Sequence, residues 1–543
     1  MTANAAGKNT LTRASLIGSR AVHGSHGQLR ARNPRTGAEL ESVYGLVGAD
    51  VVDRAATLAW EAFASYRATS PAERAAFLET VAANIDDLGD DLIDLVVAET
   101  GKDRSAVQGE AARTTGQLRL FAIELLEGSW HGVRIDPAQP DRLPRPRPDI
   151  RLRKVPLDPV AVFGASNFPL AFSVAGGDTA SVLAAGCPVV VKAHGAYPGT
   201  SELVGRAIQA AVAAHGLHEG VFSLLFGSGN EVGIALVSHP RIKAVGFTGS
   251  RTGGMALVQA AALRAEPIPV YAEMSSINPV FIMDGALRDY VEQLAEGWVG
   301  SVLIGTGQLC TSPGLVFVPD NADASRFVDA AGAAISKSVA APMLNKGIAD
   351  SFGGASARLR EKDGVATIGE GAPDDSVVVC GVPQLYVTDA ATFLANDSLH
   401  NEMFGPASLV IKVTGVEQMV EILQGLEGQL TATIHTVGDE PGVARLVEAA
   451  ELRVGRILFN GWPTGVEVTH AMVHGGPFPA TSNSMTTSVG TLAIDRFLRP
   501  VSYQNVPAAF LPEEVQDVNP LNIPRRVDGL VLQAGSIGTT VRD

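Results

Sequence analysis

From about residue 159 the chain alternates short apolar runs with alanine- and glycine-rich stretches of helical length. Five of these runs match β-strands: PVAVFG, CPVVVKA, GVFSLLFG, IKAVGFTG and PIPVYAEM. Strands separated by helix-length segments predict a parallel sheet with crossover helices, and therefore an α/β fold. This pattern also predicts the position of a ligand site, because ligands of such sheets bind at the carboxyl ends of the strands.

The turns that follow these strands are rich in glycine and small polar residues: GASNFP (164–169), KAHG (192–195), GSGNEVG (227–233) and FTGS (247–250). Four such turns at one sheet edge predict the lining of a nucleotide cleft. Ser250 also begins a helical stretch, where its hydroxyl and the free N–H groups of the helix can hold a pyrophosphate. An ordinary N-cap serine explains Ser250 equally well, and the two roles are compatible.

The first 140 residues look helical, and one helix start is explicit. Ser70, Pro71 and Glu73 supply an N-cap, an N1 proline and a capping-box partner. Residues 136–150 carry five prolines, which neither a helix interior nor a central strand accommodates. We therefore place a domain boundary or an extended arm there.

Composition excludes several classes of function. A chain of 543 residues exceeds one ordinary hydrophobic core, so two or three domains are expected. The net charge of −15 argues against nucleic acid or an anionic membrane as a partner and favours a small molecule. Cysteines at 187, 310 and 380 form no CxxC pair, so neither a metal site nor a disulfide is indicated. With no signal peptide or membrane span in the sequence, we expect a cytoplasmic protein.

Cys310 lies in GTGQLCTSPG (305–314), among glycines and hydroxyl residues rather than apolar neighbours. Open backbone of this kind suits a reactive thiolate, because N–H groups and a substrate can approach it closely. The alternative is a small buried hydrophobe, which cysteine commonly is, and the segment alone leaves both possibilities open.

Six motifs, in order and spacing, resemble the aldehyde dehydrogenase superfamily from about residue 28 to 505: GASNFPL, VVVKAHG, FTGS, AEMSSINPV, GQLCTSPG and NEMFGP (401–406). The runs RTTGQLRLFA and FNGWPTGVEV are similar to the branch that contains 2-oxoglutarate semialdehyde dehydrogenases and NADP-dependent fatty aldehyde dehydrogenases. The resemblance implies a Rossmann-type cofactor domain (1–135 and 159–272), an α/β catalytic domain (273–482) and a β-strand oligomerisation arm (136–158 and 483–505). Residues 506–543 form a tail without assigned chemistry.

The resemblance also implies roles for individual residues. Cys310 would attack the aldehyde, while Asn167 and the Cys310 N–H would hold the oxyanion. Glu273 would activate water to hydrolyse the thioester, a task that favours a pKa raised by burial. The cofactor would contact Lys192, Gly195, Gly229, Gly249, Ser250, Glu402 and Phe404. His470 and His474 have no carboxylate partner visible in the sequence, so we expect structural roles for them.

Cofactor and substrate preferences follow from single positions. Relatives that prefer NAD often carry glutamate where this chain has Gly195, so NADP is expected to be accepted alongside NAD. Arg113, with Arg119 second, is the candidate contact for the carboxylate of 2-oxoglutarate semialdehyde, and Phe168 is assigned to the same pocket. The alternatives are a fatty aldehyde substrate, acyl transfer to coenzyme A and a silent homologue. A homodimer or homotetramer is expected.

Overall fold

The five apolar runs between residues 159 and 274 are strands of one sheet in the computed structural model, which describes residues 10–535. The predicted α/β class is therefore confirmed. The strands are β1 (Ser15–Ile17), β2 (Arg20–Val22), β3 (Gln28–Arg32), β4 (Glu39–Gly45), β5 (Arg134–Asp136), β6 (Ile150–Pro156), β7 (Val160–Phe163), β8 (Val189–Lys192), β9 (Phe222–Leu225), β10 (Ala244–Thr248), β11 (Val270–Glu273), β12 (Val280–Ile282), β13 (Leu315–Pro319), β14 (Ala341–Pro342), β15 (Ala366–Glu370), β16 (Cys380–Gly381), β17 (Gln384–Asp389), β18 (Ala407–Val413), β19 (Gln429–His435), β20 (Val454–Phe459), β21 (Leu498–Gln504), β22 (Arg525–Val527) and β23 (Leu530–Leu532).

The α-helices lie mainly between the strands of the two large sheets and in the segment before them. They are α1 (Ala49–Tyr66), α2 (Pro71–Asp86), α3 (Gly89–Thr100), α4 (Arg104–Glu127), α5 (Gly177–Ala185), α6 (Pro198–Ala214), α7 (Ile234–Ser238), α8 (Arg251–Ala262), α9 (Asp284–Asp289), α10 (Val291–Leu303), α11 (Ala322–Ile335), α12 (Lys346–Arg360), α13 (Ala390–Leu394), α14 (Val416–Gly425) and α15 (Val443–Glu451). Within residues 10–535, no helix combines the length and apolar character needed to cross a bilayer.

The first sheet has the strand order β11-β10-β7-β8-β9-β1-β2. Neighbours from β11 to β9 run parallel, whereas β1 and β2 add an antiparallel edge. Alternate residues of β7 enter two different cores, Val160 and Val162 on one face and Ala161 and Phe163 on the other. Both faces of the sheet are therefore covered, as expected for parallel strands joined by helices.

The second sheet, β15-β17-β18-β13-β12-β19-β20, is parallel from β17 to β20 and antiparallel only at β15. It is also buried on both faces, since Phe281 and Val280 enter separate cores. The third sheet, β21-β6-β5-β22-β23, joins the proline-rich segment to the chain beyond residue 500. Strands β6 and β21 lie within the predicted arm, and the described part of the tail adds β22 and β23. The use of this sheet to pair subunits stays a prediction.

The N-terminal segment differs from the helical prediction before residue 49. Strands β1 to β4 occupy residues 15–45 and pair locally, β1 with β2 and β3 with β4, while β1 also pairs with the distant β9, as in Leu16 opposite Leu224. The predicted capping box is present, because Ser70 accepts a hydrogen bond from the Glu73 N–H while the Glu73 carboxylate accepts one from the Ser70 N–H.

Candidate active site

Cys310 follows a tight turn at the end of α10. Three consecutive residues, Gly305, Thr306 and Gly307, adopt positive φ angles of 59°, 56° and 63°. A Cβ on Gly307 would lie 2.1 Å from the Gly405 carbonyl oxygen, so only glycine permits this close approach. The turn that carries the candidate nucleophile is therefore packed directly against the NEMFGP segment.

Asn278 fixes the other side of the nucleophile turn. Its fully buried side chain donates hydrogen bonds of 2.9 Å to the carbonyl oxygens of Cys310 and Ser312. Its own Oδ1 accepts hydrogen bonds from Ser276 and Thr431, which lock the amide orientation. Asn278 thus positions Cys310 from within the AEMSSINPV motif.

Asn167 lies beside the same turn. It is 9% exposed, and its Nδ2 donates a 2.9 Å hydrogen bond to the carbonyl oxygen of Gln308, two residues before Cys310. An amide nitrogen carries two hydrogens, so one remains for a ligand. The Cys310 N–H makes no hydrogen bond within residues 10–535. Asn167 and the Cys310 backbone therefore supply two available donors near the thiol.

His474 lies between the thiol and Glu273. Its Nε2 is 3.3 Å from Cys310 Sγ in hydrogen-bonding geometry and 2.9 Å from Glu273 Oε1. Glu273 and His474 are only 3% and 1% exposed. This carboxylate partner of His474 was not visible in the sequence, because it comes from a strand distant along the chain. His470 also has a carboxylate partner, since its Nδ1 lies 3.3 Å from Glu124 Oε2.

The pKa of the Cys310 thiol is raised well above its ordinary value. Burial is the main cause, and the negative charge of Glu273 adds to it, while the Arg113 guanidinium acts in the opposite direction. The thiol is therefore protonated at neutral pH in the absence of a ligand. A thiolate at this position requires a group that accepts the proton, and His474 is in contact with the sulfur.

The pKa of Glu273 differs from the sequence expectation. Burial acts to raise it, but the opposing contacts with His474, Ser488 and Cys310 together lower the pKa below its usual value. Ser488 Oγ donates a 2.6 Å hydrogen bond to Glu273 Oε2 and so favours the charged form. The expected raised pKa is wrong, because the sequence did not show the partners that the chain beyond residue 470 supplies.

The cofactor candidates lie at the carboxyl edge of the first sheet. Lys192 ends β8, and its Nζ has no hydrogen bond or ion pair among the described residues, while burial lowers its pKa. Ser250 is the N-cap of α8, with its Oγ accepting a 3.2 Å hydrogen bond from the Gly253 N–H. A Cβ at Gly229 would meet no atom within 4 Å. At Gly195 the nearest atom to such a Cβ is 3.5 Å away.

An unpartnered ammonium, an open glycine turn and a helix start on one sheet edge fit a dinucleotide. Gly249 packs closely against Phe247, since a Cβ at this position would lie 2.6 Å from the Phe247 ring. Glu402 and Phe404 are half-buried in the segment that contacts the nucleophile turn. Burial raises the pKa of Glu402 to about 8, and the charge of Glu273 contributes.

Arg113 on α4 reaches toward the nucleophile. Burial lowers its pKa, while the charges of Cys310, Glu110 and Glu273 act to raise it. Its guanidinium lies 5.0 Å from the Phe172 ring centroid, and the buried Nη1 has no hydrogen-bond partner in the described part of the chain. Arg119, the second candidate, is instead committed to an ion pair of 2.6 Å with Asp86.

The pocket beside these two arginines has a volume of about 460 Å³ and is lined on one side by the loop at residues 466–468. Phe168, assigned to the substrate, lies 4.8 Å below the Lys102 ammonium and contacts Phe172. Glu110 holds this segment by accepting hydrogen bonds from the N–H groups of Leu170 and Ala171. The Asn167 turn is thereby tied to α4.

Three buried residues of this site were not predicted, namely His474, Ser488 and Asn278. Asn278 has a sequence signal, since it stands in the same motif as Glu273. His474 and Ser488 have none, because only folding brings the segment at 474–488 against the end of β11. The pairing of Glu273 with Thr481 and the 2.8 Å bond from the Met274 N–H to the Ala480 carbonyl oxygen make that contact.

Comparisons with known proteins agree with this fold and show the family. The aldehyde dehydrogenase family pattern matches residues 22–477, and the chain belongs to this family. It is 54% identical over 521 residues to alpha-ketoglutaric semialdehyde dehydrogenase 2 of Azospirillum brasilense, covering 96% of this chain and 99% of that protein. It is 47% identical over 489 residues to alpha-ketoglutaric semialdehyde dehydrogenase of Acinetobacter baylyi, covering 89% and 92%.

Solved structures share the fold at low sequence identity. Betaine aldehyde dehydrogenase of Staphylococcus aureus in complex with NAD+ has a TM-score of 0.79 at 18% identity, over 92% of this chain and 96% of that one. Aldehyde dehydrogenase C of Pseudomonas syringae, complexed with NAD+ and octanal, has a TM-score of 0.77 at 21% identity, over 92% and 98%. The predicted aldehyde dehydrogenase-like fold is therefore confirmed.

Proposed function

We propose that this protein oxidises 2-oxoglutarate semialdehyde, which is alpha-ketoglutaric semialdehyde, to 2-oxoglutarate with a nicotinamide cofactor. The observation that carries the chemistry is the meeting of Cys310, His474 and Glu273, whose donor atoms all lie within 4.8 Å of one another. The assignment of the substrate rests on the 54% sequence identity to a semialdehyde dehydrogenase, which covers almost the whole of both chains.

Attack on the aldehyde begins with loss of the thiol proton. His474 Nε2 contacts Cys310 Sγ and accepts that proton, and Glu273 stabilises the resulting imidazolium at 2.9 Å. The sulfur then forms a thiohemiacetal with the aldehyde carbon. Asn167 Nδ2 and the Cys310 N–H donate to the developing oxyanion, a contribution of about 3 kcal/mol per fixed donor in a site without water.

A bound nicotinamide supplies the acceptor for the hydride that leaves this carbon and so permits the thioester to form. The chain's part is to bind and orient the cofactor. Lys192 Nζ would meet the adenosine ribose, and the N-terminus of α8 at Ser250 would meet the pyrophosphate. Glu402 and Phe404 would lie at the nicotinamide ribose, since their segment is packed against the Cys310 turn.

Hydrolysis of the thioester needs an activated water. Glu273 has a lowered pKa and is therefore ionised at neutral pH, ready to accept a proton from water. Its Oε2 is held by Ser488, which leaves Oε1 toward the thiol side of the site. A base in this position favours water over coenzyme A as the acyl acceptor.

The carboxylate end of the substrate would bind Arg113. Two arginines, Arg113 and Arg456, are close enough to interact electrostatically with the Cys310 thiolate. Arg456 donates hydrogen bonds to the carbonyl oxygens of Pro463 and Gly465 and so anchors the chain just before the loop at residues 466–468. Arg113 keeps a buried Nη1 without a partner, and a carboxylate supplies the acceptor that it lacks.

We also propose that NADP is accepted, because no acidic side chain at position 195 repels a 2′-phosphate. The third sheet is proposed as a subunit contact, since its edge strand β21 is largely exposed. A homodimer or homotetramer is expected, and native mass measurement tests it; a monomer would contradict this part of the proposal.

The test of function measures NADPH and NADH formation with 2-oxoglutarate semialdehyde and with a long-chain fatty aldehyde, in the wild type and in Cys310→Ala. Cys310-dependent turnover that is fastest on the semialdehyde supports the proposal. Preference for the fatty aldehyde would overturn the substrate assignment, and equal turnover in Cys310→Ala would overturn the chemistry.

A further inference from the structure

A thiol sulfur, an imidazole nitrogen and a carboxylate oxygen converge at one buried point of this protein. Cys310 Sγ lies 3.3 Å from His474 Nε2, which lies 2.9 Å from Glu273 Oε1. All three donor atoms lie within 4.8 Å of one another. Glu273 and His474 are almost completely buried, at 3% and 1% exposure.

We infer that Cys310, His474 and Glu273 form an inhibitory site for a thiophilic divalent cation, best matched by Zn²⁺. Thiolate, imidazole and carboxylate are the three ligand types that Zn²⁺ binds in proteins, at about 2.0 to 2.3 Å. Tetrahedral ligands at those bond lengths are about 3 to 4 Å apart. The separations of 3.3 Å and 2.9 Å, with all three atoms within 4.8 Å, are close to this spacing, and water takes the fourth position.

The hydrogen bonding around Glu273 leaves a ligand position open. Oε2 accepts the 2.6 Å hydrogen bond from Ser488, which fixes the carboxylate plane. Oε1 lies 2.9 Å from His474 Nε2 and is the carboxylate oxygen on the side of the other two donor atoms. A cation at this point would offset the negative charge of the buried carboxylate.

Metal binding and catalysis exclude each other at this site. The cation displaces the S–H proton of Cys310 to solvent, and the sulfur uses the electron pair of the broken S–H bond to bind the metal. The nucleophile is then coordinated, while His474 and Glu273 are held as ligands. The metal therefore blocks attack, proton transfer and hydrolysis together.

The sequence shows no motif for this site, because the three ligands are far apart along the chain. The three donors come from the end of β11, the turn after α10 and the segment before β21, and Cys310 and His474 are 164 residues apart. Only folding assembles them. The site therefore has no linear motif.

The test is a titration of the full chain with Co²⁺ and then with Zn²⁺, in the absence of substrate and cofactor. Wild type is expected to take one Co²⁺ with a thiolate-to-cobalt charge-transfer band, and Zn²⁺ is expected to displace it and release a proton in weak buffer. Cys310→Ala should abolish the band. His474→Asn and Glu273→Gln should each weaken Zn²⁺ binding by about tenfold or more.

Matched controls use residues of the same types outside the site. Cys380→Ser and the exposed His470→Asn are expected to bind both metals as the wild type does. Zn²⁺ should also protect Cys310 of the wild type from iodoacetamide. Absence of a thiolate band in the wild type, or a band that persists in Cys310→Ala, would overturn the site. These measurements do not require turnover, so they stand apart from the proposed activity.

Discussion

His474 Nε2 lies 3.3 Å from Cys310 Sγ and 2.9 Å from Glu273 Oε1, so one imidazole contacts both the nucleophile and the hydrolytic base. The thiol in this environment has a raised pKa and holds its proton at neutral pH. A neutral thiol is a weak nucleophile, and its reactivity here depends on a neighbouring acceptor.

Replacing His474 with asparagine removes that acceptor and keeps a polar side chain of smaller size. We expect kcat/KM to fall by about a hundredfold or more, in line with loss of a positioned base. Alkylation of Cys310 by iodoacetamide should slow in parallel at neutral pH and recover at higher pH. His470→Asn is the matched control, and equal losses in both variants would refute the role of His474.

Replacing Arg113 with methionine removes the cation proposed for the substrate carboxylate. Loss of one partner of a buried charged hydrogen bond costs about 2 kcal/mol, or roughly thirtyfold in KM for 2-oxoglutarate semialdehyde. KM for a neutral short aldehyde should change little. Arg119→Met, on the same helix but in an ion pair with Asp86, should affect both aldehydes alike. An unchanged semialdehyde KM in Arg113→Met would show that Arg113 is structural.

Replacing Gly195 with glutamate tests cofactor choice. The nearest atom to a Cβ at this position is Leu29 Cδ1, 3.5 Å away, so a Cβ is accommodated without collision. The added carboxylate should repel a 2′-phosphate and weaken NADP by about tenfold or more while sparing NAD. Gly195→Ala controls for the loss of glycine, and an unchanged NADP to NAD ratio in the glutamate variant would contradict the assignment.

Glu402 gives a prediction about stability and pH. Its pKa rises from 4.5 to about 8 on folding, mainly through burial, so the folded chain keeps a proton that the unfolded chain loses. The free energy of unfolding is therefore highest below the unfolded pKa and falls as pH rises through the folded one. Glu402→Gln should melt at a higher temperature than the wild type near about pH 9 and differ least near about pH 5. A difference independent of pH would contradict the raised pKa.

Local patterns predicted much of this fold. The five strands from β7 to β11 follow from apolar runs separated by helical lengths, and the start of α2 follows from Ser70 and Glu73. Strands β1 to β4 were missed, because β1 and β2 have only three residues each, while β3 and β4 are rich in polar residues and lack the apolar runs that mark β7 to β11. Such strands carry little local signal.

The site likewise contains residues that the sequence predicted and residues that it did not. Cys310, Glu273 and Asn167 stand in recognisable motifs, and the structure brings Glu273 and Asn167 to the nucleophile turn. The pKa of Glu273 was not predictable, since Ser488 and His474 approach only after residues 474–488 fold against β11. Likewise, the sequence ranked Arg113 ahead of Arg119 but did not show that Arg119 is paired with Asp86, because that ion pair forms between two different helices.

Covalent catalysis by Cys310 is tested by the intact mass of Glu273→Gln incubated with 2-oxoglutarate semialdehyde and NADP. Without the base that hydrolyses the thioester, the 2-oxoglutaryl group should accumulate on the enzyme. Peptide mapping should place that acyl mass on Cys310, with no adduct in the double variant that also carries Cys310→Ala. An adduct on Cys187 or Cys380 would contradict the role of Cys310 as the nucleophile. The absence of any adduct while NADPH is still formed would contradict the role of Glu273 in hydrolysis.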